Sequence, residues 1–161
     1  MESRRIAEAL ERIYPSPPMH IDSKYQSPVE AAIANILGCT RTVFVPLVPK
    51  IFLNPPSQEY FVASREKSVG MSLDEFGKTA DQDIKKTEPY VRELSALLTE
   101  TDGPFFEGST PVYADFVVVA WIRMFKGLGQ EEKIFSLEGG EQLKKQYEAA
   151  HANGWLDRDS Y

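Results

Sequence analysis

With 161 residues, 42% of them hydrophobic and 11% aromatic, the chain can bury one domain core, which excludes a disordered tail and a disulfide-stapled miniprotein. Eighteen basic against 24 acidic residues give a net charge of −6, so the positive footprint of a nucleic-acid binder or of a protein held on anionic lipid is missing. The single Cys39 cannot close an internal bridge, and the longest strongly apolar run, Phe116 to Ile122, is far short of the ~20 residues that span a bilayer. No signal-peptide pattern opens the chain, and a cytoplasmic protein is the expectation.

The chain opens on an amphipathic helix. Ile6, Leu10 and Ile13 recur at helical spacing, Arg4, Arg5, Glu8, Glu11 and Arg12 face water, and Pro15, Pro17 and Pro18 stop it. Ser27-Pro28-Val29-Glu30 predicts a capped helix start. Ala31 to Leu37 then make that helix apolar around most of its girth, which predicts an internal position. Thr42 to Val48 mixes β-branched residues with Pro46, and Pro49 follows, so it reads as a kinked continuation of the same helix rather than a central strand. A further helix is predicted from Ser57 to a stop at Gly70, and a short one after the Ser72-Leu73-Asp74-Glu75 capping box. Residues 79–99 keep helical spacing, with a bend expected at Pro89. Periodicity alone leaves the run from Phe116 as either a buried strand or a buried helix. Residues 141–152 read as an amphipathic helix with Leu143 and Tyr147 inward. The prediction is a mostly helical domain.

Metal chemistry is not expected, because two histidines and one cysteine occur without any HExxH, CxxC or paired-His spacing. A phosphate loop and a GxSxG elbow are also missing; Gly139-Gly140 is the one Gly pair. Cys39 reads as a small core residue or a thiolate, His20 as a packing residue or a base, and His151 as a macrodipole partner or a base. Two segments are sharper. Glu2-Ser3 can cap the opening helix or hold the carboxylate and ammonium of a ligand. Asp115, three residues after Val112, is placed to accept from a cap backbone N–H and so to start an apolar helix.

These segments carry a family resemblance. ESRRIAEALERIYPSPPMHID is similar to the part of the glutathione transferase superfamily in which a Glu-Ser pair opens the last helix of the thioredoxin-like domain. GPFFEGSTPVYADFVVVAW is similar to the start of the central helix of the all-helical C-terminal domain, and FVPLVPKIFLN and GMSLDEF look like fungal members. The resemblance implies an all-α fold: a remnant helix and linker over 1–26, a helical bundle over 27–161, and a thioredoxin-like domain largely absent from this chain. It makes both Thr42–Val48 and Phe116–Ile122 helical.

The resemblance also implies chemistry. Glu2 and Ser3 match the pair that binds the γ-glutamyl group of glutathione, which makes glutathione the candidate cofactor. Asp115 matches the family's capping acid; Val112 stands where a Ser or Thr is usual, with Thr110 as a substitute. The family's catalytic Ser, Tyr or Cys lies upstream of the Glu-Ser pair. Transferase-like action on a small hydrophobic molecule is expected, in a pocket lined by the second helix and the Phe116 helix. Tyr113 is the candidate donor of a proton or hydrogen bond, and Asn35, Arg41, Phe44 and Trp121 are candidate substrate contacts. The alternatives are a glutathione-independent isomerase or cyclase of fungal secondary metabolism, and a non-catalytic carrier or interaction module. Uncovered apolar surface on the first two helices predicts a homodimer.

Overall fold

The computed structural model describes residues 2–156, with side chains from Arg4 onward. Among the described residues the fold is all-α. The helices are α1 (Glu2–Ile13), α2 (Gln26–Cys39), α3 (Arg41–Phe52), α4 (Pro55–Val69), α5 (Leu73–Phe76), α6 (Ala80–Lys85), α7 (Glu88–Leu98), α8 (Tyr113–Gly127), α9 (Glu131–Phe135) and α10 (Gly140–Ala152). The β-bridges among these residues are two isolated ones in the loop before α8, Phe105 with Gly108 and Glu107 with Thr110.

The core sits where α2, α7, α8 and α10 pack on one another. Each helix brings a stripe at helical spacing: Val29, Ala32, Ile33 and Ile36; Val91, Leu94 and Leu98; Val118, Ile122 and Phe125; Leu143, Tyr147 and Ala150. Aromatic rings close its ends. Tyr25 stacks on Phe106 at 5.4 Å between centroids, and Trp155 stacks on Phe105 at 5.1 Å and on Phe116 at 4.4 Å. The Gly139-Gly140 pair seats α10. Gly139 lies in the left-handed region at φ 88°, and a Cβ on Gly140 would stand 2.5 Å from the Ile134 carbonyl oxygen.

Several boundaries differ from the sequence expectation, each for a local reason. Helix α2 begins at Gln26, because the Gln26 N–H already bonds the Ser23 carbonyl at 3.0 Å; Ser27 falls inside the first turn and caps nothing. Only one side of α2 is internal, since Ser27, Ala31, Ala34, Asn35 and Gly38 are exposed. Thr42–Val48 is helical, but the axis turns by 76° at Thr40 rather than kinking at a proline. There the buried Thr40 hydroxyl and N–H both donate to the Ile36 carbonyl, at 2.7 and 2.9 Å. The Thr40 carbonyl then starts α3 by accepting from Val43. Helix α4 starts two residues ahead of Ser57, with Asn54 as its cap.

Residues 79–99 form two helices instead of one bent helix. The Thr87 hydroxyl donates to the Ile84 carbonyl at 2.6 Å in the break, and Pro89 sits in the first turn of α7, where its missing N–H costs nothing. Asp83 anchors the same region. Its carboxylate accepts from Thr42 (2.7 Å), Thr79 (2.6 Å) and Lys86 (2.6 Å), and these partners, Lys86 first, hold its carboxyl down at about 2. Among the described residues no single helix is long and apolar enough to cross a membrane; α2 and α3 together meet the length, but they are the bent pair whose buried residues feed the core.

Candidate functional site

The site is built from the start of α8. Asp115, fully buried, accepts from the Val112 N–H at 2.8 Å, the Phe106 N–H at 3.1 Å and Gln146 Nε2 at 2.7 Å. Valine at the cap position has no side-chain acceptor to complete a reciprocal box, and Thr110 stays exposed in the preceding bridge. The Met19 carbonyl accepts from the Tyr113 N–H at 2.7 Å and so ties α8 to the linker after α1. Burial raises the Asp115 carboxyl to about 6, against the pull of its three donors.

Helix α1 is held beside α2 by a few polar links and one buried side chain. Arg4 donates to Glu8 at 3.2 Å and to Glu30 at 3.3 Å, the Met19 N–H donates to Glu11 at 2.8 Å, and Ala7 is buried. Between α1, α2 and the first turns of α8 this arrangement leaves a cleft of about 970 Å³. Arg4, Arg5 and Glu8 line it from α1; Ser27, Glu30, Ala31, Ile33, Ala34 and Leu37 from α2; Tyr113 and Val117 from α8. Its size suits a small organic ligand, and its walls are mostly apolar with a few polar side chains converging.

Of the residues singled out in the sequence, Tyr113 lies on the cleft wall. Trp121 follows it by two helical turns on α8, is 4% exposed, tilts against Phe125, and has an indole N–H without a hydrogen-bond partner. Asn35, Arg41 and Phe44 do not line the cleft. Asn35 sits exposed one position round α2 from Ala34, while Arg41 and Phe44 belong to α3, which the turn at Thr40 carries away. Glu2 and Ser3 open α1, and their side chains lie outside the described residues. Sequence reasoning placed Arg4, Arg5 and Glu8 toward water and missed their convergence with Ser27 and Glu30, a pairing of residues 26 apart for which no local pattern exists.

The other titratable candidates stand elsewhere. Cys39 is free and half-buried, and half-buried His20 occupies a turn at φ 49°. His151 lines a second cavity of about 280 Å³ with Lys126 and Tyr147. No group of three potential metal ligands exists among the described residues.

A helical bundle of this order, with α8 started by a buried capping acid, is that of the glutathione S-transferase C-terminal domain. The model of that family matches residues 26–147, and the chain belongs to it.

The chain is 26% identical over 135 residues to the glutathione S-transferase-like protein ustS of Aspergillus flavus, an alignment covering 76% of this chain and 49% of that protein. Two glutathione S-transferases of Ceriporiopsis subvermispora, each solved in complex with glutathione, share the fold. CsGST83044 superposes with a TM-score of 0.72 at 23% identity, over 92% of this chain and 64% of its own. CsGST63524 gives 0.73 at 21%, over 96% and 66%. The chain thus spans about half the length of its curated relative and about two thirds of these solved chains.

Proposed function

We propose that the chain acts as a glutathione-transferase-like protein on a small hydrophobic molecule bound in the α1–α2–α8 cleft. The observation that carries this reading is the cleft itself, about 970 Å³ of mostly apolar wall with the half-buried Tyr113 set into it. In this reading Tyr113 hydrogen-bonds or protonates the substrate. Among the described residues no hydrogen bond engages its hydroxyl, and its position at the first residue of α8 is fixed by the Met19 and Asp115 contacts around it. Glutathione is the proposed second ligand, at the Glu2–Ser3 end of α1; the two solved relatives bind it. A cytoplasmic location and a role in fungal secondary metabolism belong to the same proposal.

Calorimetry with glutathione and turnover of an electrophilic test substrate by the Tyr113→Phe variant examine the two halves separately. Glutathione binding at millimolar concentration, with at least a tenfold loss of turnover in the variant, is the expected result. Absence of glutathione binding removes the glutathione-dependent mechanism, and unchanged turnover removes Tyr113 as donor.

Self-association is proposed alongside. Ile6 (59% exposed), Leu10 (52%) and Ile13 (65%) form a continuous bare stripe on α1, which a second copy would cover. Light scattering on the purified chain should report a dimer, and Leu10→Glu should shift it to monomer; a monomeric wild type at high concentration refutes the proposal.

A further inference from the structure

Charge pairing inside the cleft is lopsided. Among the described residues four ionic side chains line it, Arg4 and Arg5 against Glu8 and Glu30, and their formal charges cancel. The pairs do not share out evenly, because both carboxylates converge on Arg4, and Glu30 also accepts from Gln26 Nε2 at 2.8 Å. Among the described residues the Arg5 guanidinium has no ion pair or hydrogen bond. The remaining polar groups of the described lining, the Tyr113 and Ser27 hydroxyls, are likewise unengaged among the described residues. The acceptors of the cleft are therefore engaged while its cation and two hydroxyls stand free beside a wall of Ala31, Ala34, Leu37 and Val117.

We propose that the cleft selects an amphipathic carboxylate, a small acid whose anionic head is held by Arg5 with help from the Tyr113 and Ser27 hydroxyls and whose apolar body lies along α2 and α8. A guanidinium presents paired N–H donors that match the two oxygens of a carboxylate. The apolar wall gains from covering a hydrocarbon body, and a neutral analogue of the same body would leave the head-group donors of the cleft unsatisfied. The proposal rests on the reading of the cleft as the ligand site, and the experiment separates the two.

Decanoate and decanol, both below their aggregation limits, are titrated into the full chain by calorimetry, with amide and methyl NMR shifts locating the bound ligand. Decanoate should bind at least tenfold more tightly than decanol, with shifts at Ala31, Ala34 and Val117. Arg5→Gln, a change at an exposed side chain, should abolish that preference and leave decanol affinity unchanged. Equal affinity for acid and alcohol in the wild type, or a preference that survives Arg5→Gln, overturns the carboxylate assignment while the cleft remains the ligand site. If neither compound binds, or the shifts fall elsewhere, the cleft reading fails and the assignment with it.

Discussion

Asp115 places two opposing effects on one atom group, and pH tells which wins. The carboxyl is fully buried, which penalises its charged form, yet three N–H donors surround it, which favours that form. Desolvation prevails and raises the carboxyl from the ordinary 3.8 to about 6, a difference worth about 3 kcal/mol. The folded state then holds this proton more tightly than the unfolded chain does. Stability from this group is complete below about pH 4 and is lost as pH rises through about 6.

Other carboxylates titrate over the same range, so the comparison needs a variant that lacks only this proton. Asp115→Asn keeps the shape and one acceptor but cannot ionise. Urea unfolding of both proteins at pH 4, 5, 6 and 7, followed by circular dichroism, gives the stability difference at each pH. That difference should move by about 2–2.5 kcal/mol in favour of the variant between pH 4 and pH 7, because the unfolded carboxyl is already partly ionised at pH 4. A flat difference, or one that moves toward the wild type as pH rises, would show that the three hydrogen bonds outweigh burial, and the reasoning would be wrong.

Asp83 should behave in the opposite sense. Its carboxyl is held at about 2 by Lys86, Thr79 and Thr42, so its contribution is present above about pH 4 and is lost as pH falls through 2. The loss should be about 1–2 kcal/mol, limited because the Lys86 side chain is 66% exposed and screened by solvent, and it should be missing from an Asp83→Asn acid-unfolding profile. Gly140→Ala should lower the urea midpoint by the equivalent of about 2–4 kcal/mol, since its Cβ would meet the Ile134 and Phe135 carbonyls at 2.5 Å. A loss below 0.5 kcal/mol, within the usual range for surface changes, would mean the α9–α10 corner yields easily.

The parts of the fold that sequence could announce are those set within one turn of chain. Asp115 was readable as a capping acid because its bond to the Val112 N–H spans three residues. Its bonds to Phe106 and Gln146 span nine and 31 residues, and no local pattern encodes them. Gly70 stops α4 in the left-handed region, as a glycine after a helical run should. The 42–48 segment was legible as a kinked continuation of helix, but the place of the bend was not. The turn depends on Thr40 being buried and bonding back to Ile36, whereas the sequence drew attention to the prolines. The same turn explains why Arg41 and Phe44 do not reach the cleft. Arg5 was read as a solvated charge because its significance lies in what Arg4 does with Glu8 and Glu30, across two helices.

One helix stands apart from this packing. No residue of α4 is buried, Tyr60 on it is 79% exposed, and it rests on α3 and α5 rather than on the four central helices. Its own side chains therefore add nothing to the core, and its amides are guarded mainly by contacts with α3 and α5. Such a segment exchanges hydrogen and meets proteases on its own clock while the rest of the molecule stays closed. A single unfolding free energy would describe the α2–α7–α8–α10 bundle better than it describes α4, whose exchange is expected to be the faster of the two.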